Sequence, residues 1–246
     1  MSDQAAVFVH LLPSLIPPRA LHGGVALVID VLRATTVMVQ ALDAGCEAII
    51  PCLEIPQARD IAASLPDGHV ILAGEREGLP IPGFDLGNSP GAFTSAVCKG
   101  KMAVMTTTNG TRALHAAMGA ERVLVGSFVN LGATVRTLLQ EHRPIHLIGS
   151  GTNGFVSLED TLLAGAACAG LESVGRPAGN DEAILARDAW KGVKGLRLAE
   201  ALGRGRGGRR VREIGLVDDL EFSAQVDRFD LVLEVVLDPL RVVRAC

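Results

Sequence analysis

Short apolar runs recur along the chain, each ending in a polar turn that leads into a helical pattern. Residues 25–31, VALVIDV, are the strongest of these runs. They read as a strand covered on both faces, interrupted only by Asp30 near the carboxyl end. Residues 32–36, LRATT, open a helix that reaches about Ala44; Gly45 suits its C-terminal cap, and 47–51 form the next strand. Residues 101–114, KMAVMTTTNGTRAL, say the same thing again: apolar strand, hydroxyl-rich turn, Asn-Gly breaker, helix. Thr108 or Asn109 is placed to cap that helix. Gly45 and Gly119 fall at matching points of the two stretches, 74 residues apart. A third version runs from the strand at 145–149 through SGTNG into a helix carrying Glu159 and Asp160. We read the likeness as recurrence of βα units rather than duplication.

Strands that alternate with helices imply an α/β fold with a mainly parallel sheet built from βα units and helices on both faces. Right-handed crossovers then gather the strand-to-helix turns at one sheet edge, where such folds bind ligands. The turns after Asp30, Met105 and Gly149 are expected to meet in one crevice, joined by a fourth, GEREG at 74–78, after a strand at 69–73. Residues 6–12 form a first strand, and Pro13, Pro17 and Pro18 preclude a long helix after it. Helices are predicted at 54–65 and 131–141, the latter capped by Asn130, with a strand at 123–126. Residues 79–90, LPIPGFDLGNSP, are irregular, and a loop of that length is functional or mobile. Asn180 and Asp181 open a helix through Trp190. The basic run GRGRGGRR at 203–210 reads as a solvated linker made flexible by glycine, and 229–237 as a last strand. Nothing divides the chain, so residues 1–246 are read as a single α/β domain.

Composition narrows the function. Aromatic residues make up only 3% of the chain and Tyr is absent, so a stacking platform for bases is poorly supplied. The net charge of −4 also argues against a nucleic-acid or anionic-membrane surface. No apolar run approaches the ~20 residues of a membrane span, and no signal peptide is evident. Cys46, Cys52, Cys98, Cys168 and Cys246 lack metal-site spacing and read as reduced, mostly buried thiols of a cytoplasmic protein. The apolar-rich chain with its late apolar segment is compatible with a homodimer.

Turns that present backbone N–H groups and hydroxyls at a helix start stabilise an anion, although Thr-rich turns are also simply good caps. VIDVLRATT, AGEREG, GFDLGNSP, TTTNGTRAL, GSFVN and LEDTLLAG, in that order, resemble the 2-phosphosulfolactate phosphatase (ComB-like) family. The resemblance implies a Mg²⁺-dependent acid phosphatase that converts 2-phosphosulfolactate to 3-sulfolactate and phosphate, a step of coenzyme M biosynthesis. At 205–220, GRGGRRVREIGLVDDL departs from the family, which usually carries a Ser and a His there. Gly215 to Asp219 fits.

That chemistry asks for carboxylates to hold a hard cation, donors for the phosphoryl oxygens and an oriented nucleophile. Asp30, Glu75, Asp85, Glu159 and Asp160 are the candidate metal ligands, and Asp30, Arg33 and Asn109 the candidate catalytic residues. Arg33, Arg76 and Arg112 would pair with phosphate, carboxylate or sulfonate. Thr35, Thr36, Asn88, Thr107, Thr108, Asn109 and Thr111 would supply the remaining donors. Ordinary salt bridges and caps account for many such residues equally well. The D-x-D-x-T start of aspartyl-nucleophile phosphatases is not met, because position 32 is Leu. The sequence leaves the nucleophile open between a side chain and a water, and a metal-activated water is the favoured expectation. A non-catalytic sensor of an anionic metabolite would use the same arginines and threonines without the metal carboxylates. A nucleic-acid-associated protein would use GRGRGGRR.

Overall fold

The computed structural model describes residues 6–66 and 68–245; Cys246 lies outside them. The apolar runs become strands of a ten-stranded sheet. β1 (Val7–His10), β2 (Val25–Ile29), β7 (Arg122–Gly126) and β8 (Ile145–Gly149) pair in parallel in the order β1-β8-β2-β7. β3 (Ala48–Cys52), β4 (Val70–Arg76) and β6 (Met102–Thr106) form a second parallel set, β3-β6-β4, edged by the short antiparallel β5 (Leu79–Pro80). A C-terminal hairpin, β9 (Leu233–Val236) and β10 (Arg241–Arg244), is inserted between the sets and pairs antiparallel with β7 on one side and β3 on the other. Every residue of β2 is buried, as its unbroken apolar run requires.

Three successive antiparallel pairings, β7 to β9, β9 to β10 and β10 to β3, make the two parallel sets run in opposite directions. About the hairpin the order is symmetric: β8-β2-β7 on one side answers β4-β6-β3 on the other. β2 leads through α1 (Ala34–Asp43) to β3 in the far set, and β6 leads through α4 (Gly110–Ala117) back to β7 in the near set. The two similar stretches, residues 25–52 and 100–127, thus occupy symmetric places about the hairpin. α1 and α4 pack against both strand sets. These two helices share one apolar cluster with residues of both strand sets, including Val28, Met38, Ile49, Ile71, Met105 and Leu114.

The turns do converge, but through this crossing rather than along one edge of a simple parallel sheet. Gly110 starts α4 at the carboxyl end of β2. A Cβ there would lie 2.5 Å from the Cβ of Ala34 and 2.8 Å from Oδ2 of Asp30. Only glycine permits this approach, so Gly110 fixes where the two turns meet.

On the outer face of the first set, α6 (Leu158–Glu172) and α7 (Asp181–Gly192) cover β1, β8 and β2 in a second apolar cluster. α5 (Leu131–Leu139) joins them, and α2 (Ile55–Ser64) covers the other set. The side chain of Asn180 accepts from the N–H of Ala183 to cap α7, and its amide also pairs with the backbone of edge strand β1 at Val9. Asn130 does not cap the helix through its side chain. Its carbonyl oxygen accepts from the Ser127 N–H and its amide donates to the Leu231 carbonyl, tying that turn to the C-terminal segment.

The basic, glycine-rich segment is not a flexible linker. It folds as α8 (Leu198–Leu202) and α9 (Arg206–Glu213), followed by α10 (Val217–Ser223). Its glycines mark close packing: a Cβ on Gly208 would lie 2.2 Å from the Leu202 carbonyl oxygen, and one on Gly207 2.0 Å from Oε1 of Glu159.

Candidate active site

A cavity of about 470 Å³ opens where the turns meet. Asp30 and Arg33 reach it from the β2–α1 turn, Thr108 and Asn109 from the β6–α4 turn, and Thr152 and Asn153 from the β8–α6 turn. Glu75, Glu77 and Gly78 come from the end of β4, and Asn88 from the loop beyond β5. α9 adds a wall through Arg206, Gly207, Arg209 and Arg210. Sequence reasoning missed this wall. The basic run was visible, but its helical packing depends on a glycine fit to Glu159 that no local pattern displays.

Carboxylates divide by what they already hold. Glu75 accepts from the N–H of Gly78 and of Thr108, both at 2.7 Å, and so braces two of the turns. Asp160 accepts from the N–H of Val31 and Gly151 and from the Ser150 hydroxyl, joining the ends of β2 and β8 to the start of α6. Both hold backbone groups of the turns in place, and Glu75 also lines the cavity. Asp85 lies outside the cavity and accepts from the Leu72 N–H at 2.8 Å, pinning the long loop to β4.

Asp30 and Glu159 are different. Asp30 faces the cavity and accepts a long bond, 3.3 Å, from the Ala34 N–H, with the Ser150 hydroxyl also close enough to favour its charged form. Burial pushes its carboxyl up to about 6, and the charge of Glu75 adds to the rise. Glu159 is 1% exposed and lies behind Gly207. Neither of its oxygens has a partner in hydrogen-bonding geometry. Burial, then the neighbouring Asp30, pushes it up to about 7, while the nearby amides of Glu159 and Gly207 pull the other way. Among the described residues, no three His, Cys, Asp or Glu side chains gather closely enough to bind a metal by themselves. A site of two carboxylates still suits Mg²⁺, which takes one or two carboxylates and completes its shell with water and substrate phosphate.

Arg33 is buried, and its guanidinium makes three bonds to the protein. It donates to Asp219 at 2.7 Å, to the Ser89 hydroxyl at 3.0 Å and to the Gly78 carbonyl at 2.6 Å. It therefore lends the cavity a fixed positive charge and locks the β2–α1 turn to α10 and to the long loop. Asp219, the acid of the Gly215 to Asp219 run, owes its place to this pairing. Asp219→Ala would leave a guanidinium buried without its counter-charge, which costs about 3–5 kcal/mol. Urea unfolding measures it; a loss under ~1 kcal/mol would mean that Ser89 and the Gly78 carbonyl suffice.

Several predicted anion contacts lie elsewhere. Arg76 donates to the carbonyls of Glu75 and Leu53 and to the Thr106 hydroxyl, away from the cavity. Arg112 is exposed and does not line it. The hydroxyls of Thr35 and Thr36 donate to the carbonyls of Asp30 and Val31, and Thr36 also meets Ser127. The Thr107 hydroxyl, not Asn109 or Thr108, takes the free N–H of Thr111, whose own hydroxyl bonds the Thr107 carbonyl. These four threonines shape the turns and spend their hydroxyls on backbone. Asn109 accepts from the Asn153 N–H, joining two turns across the cavity. Asn88 Oδ1 and Thr108 Oγ1 are buried at the cavity with no partner.

Cys46, Cys52 and Cys168 are buried thiols pushed up to about 12, 11 and 12 by desolvation, so none is a nucleophile for this cavity. Among the described residues no helix is long and apolar enough to cross a membrane.

Fold and cavity together define an α/β enzyme whose crevice sets buried carboxylates against guanidinium groups beyond the carboxyl ends of its strands. The family model for 2-phosphosulpholactate phosphatase matches residues 10–237. The chain belongs to that family, and its enzyme class is that of the phosphoric monoester hydrolases. It is 41% identical over 211 residues to a probable 2-phosphosulfolactate phosphatase of Symbiobacterium thermophilum, covering 85% of this chain and 90% of that one. It is 43% identical over 233 residues to a protein of the same description from Synechococcus, covering 89% and 92%. One from Synechocystis is 36% identical over 229 residues, covering 92% and 94%.

Proposed function

We propose that the protein is a Mg²⁺-dependent phosphatase acting on 2-phosphosulfolactate, or a closely related small phosphate ester with further acid groups, and releasing inorganic phosphate. The observation that carries this reading is a pair of unpartnered buried polar atoms lining one cavity, Asn88 Oδ1 and Thr108 Oγ1, with the unpartnered carboxylate of Glu159 directly behind its Gly207 wall. Leaving such a group unsatisfied costs about 1–3 kcal/mol, so a ligand that completes them explains their retention. Other unpartnered atoms, such as Gln40 Oε1 and Thr134 Oγ1, do not line this cavity.

In this reading Asp30 and Glu159 hold the cation, since two raised, adjacent carboxylates gain most from a positive charge. Bound Mg²⁺ supplies charge neutralisation at the phosphoryl oxygens and Lewis acidity toward water. Asn88, Thr108 and Asn109 orient the phosphoryl group. Arg33 contributes a rigid positive charge whose geometry costs nothing to organise during the reaction. The curated relatives' names point to the same substrate.

Phosphate release from synthetic 2-phosphosulfolactate, with phosphoglycolate and phospholactate alongside, tests the proposal with Mg²⁺ and with EDTA. Selective, EDTA-sensitive turnover of the sulfonate is expected. Turnover of none of the three would refute phosphatase function, and undiminished turnover in EDTA would refute the metal.

A further inference from the structure

The three arginines of the α9 wall are not alike. Arg210 is tied down, donating to the Glu77 carbonyl through Nε and Nη2 at 3.1 and 2.9 Å. It also faces Glu213 at 3.6 Å. Arg209 donates to the Arg204 carbonyl at 2.5 Å. Arg206 has neither a hydrogen bond nor an ion pair among the described residues. Its guanidinium instead lies over the ring of Phe155, with Cζ 4.3 Å from the centroid.

Phe155 is an odd residue to find there. It is 58% exposed and belongs to none of the apolar clusters. It closes a tight turn in which Thr152 and Phe155 bond to each other through both backbone groups. Asn153 and Gly154 take positive φ of 53° and 79° between them. The same turn places Thr152 and Asn153 in the cavity wall. The ring is thus a fixed shelf beside the cavity, and stacking holds an arginine over it while leaving the guanidinium N–H edge free.

We infer that Arg206, positioned by Phe155, binds the acid group of the substrate that is remote from the phosphoryl group, a carboxylate or sulfonate, and so selects esters that carry one. This rests on the phosphatase reading for the other end of the cavity. The cavity, about 470 Å³, is larger than a phosphate alone would need, and Asp30, Asn88, Thr108 and Asn109 line it together with Arg206. A guanidinium whose donors are all available complements a planar carboxylate or a sulfonate with paired bonds.

Calorimetric titration tests it, with 3-sulfolactate and inorganic phosphate as probes, in buffer containing Mg²⁺. Arg206→Gln should weaken 3-sulfolactate binding about 10-fold or more and leave phosphate binding unchanged. Phe155→Ala should reproduce part of that loss and Phe155→Trp should retain the original affinity, since a ring is what positions the guanidinium. Equal weakening of both probes, no weakening of either, or no binding of 3-sulfolactate by the unmodified protein would overturn the assignment. Because 3-sulfolactate carries no phosphoryl group, failure of the phosphatase assay leaves this result readable.

Discussion

Replacing Asp30 by Asn should lower phosphate release from 2-phosphosulfolactate about a thousandfold or more without loosening the fold. The side chain keeps its shape, and an amide oxygen can still accept from the Ala34 N–H, the one backbone bond Asp30 makes through its carboxylate. What disappears is a negative charge that burial already disfavours: the carboxyl sits at about 6, above the usual carboxylate range. Removing it should leave the melting temperature level or raise it. Asp160→Asn should do the reverse. Its two oxygens accept three bonds, from Val31, Gly151 and Ser150. An amide NH₂ in place of one oxygen would face donors, so the main loss should be stability. Steady-state kinetics and thermal melting on both variants separate the roles. An Asp30→Asn enzyme within tenfold of the parent would remove Asp30 from the chemistry.

The contrast between these two aspartates also shows where the sequence stops being informative. Asp30, at the end of an unbroken apolar run, is legible as a buried carboxylate that needs a reason to be there. The same logic selects Asp160 and Glu75, whose oxygens also accept backbone N–H groups from neighbouring turns, a bracing role the sequence does not display. Whether a carboxylate is spent on backbone or left for a ligand is decided by long-range contacts without any periodic signature. Arginine is harder still: Arg33, Arg76 and Arg112 occupy similar turns, but one is locked to Asp219, one folds back on Leu53, and one is exposed. The strands and most helices were legible from their apolar patterning. Reversal of the second strand set was not, because it depends on a C-terminal hairpin inserted mid-sheet. The role of α9 was hidden for a related reason: glycine usually signals freedom, and here it signals contact with Glu159.

The metal-free protein should lose stability as pH rises from about 4.5 to about 7.5, and Mg²⁺ should restore it at the upper end. The sign follows from the shifts. Asp30 rises from 3.8 to about 6 and Glu159 from 4.5 to about 7. The folded state therefore binds protons more tightly than the unfolded chain over that interval, and deprotonation favours unfolding. Each shift corresponds to a penalty on the order of 3 kcal/mol once the group is ionised, and Asp160, also raised by burial, acts in the same sense. For a chain of this length the combined effect is a fall in melting temperature of roughly 10–25 °C. A cation that binds only the ionised carboxylates would return about 2.7 kcal/mol at a hundred times its dissociation constant. Added Mg²⁺ should thus raise the melting temperature at pH 8 and have little effect at pH 5, where protons already occupy the site. Glu159→Gln and Asp30→Asn should each flatten the pH profile and abolish the Mg²⁺ response. Calorimetric melting in EDTA and in Mg²⁺ across this range measures both slopes. A flat profile would contradict the buried, unpaired state of Glu159. A Mg²⁺ response that survives in both variants would place the cation on other residues.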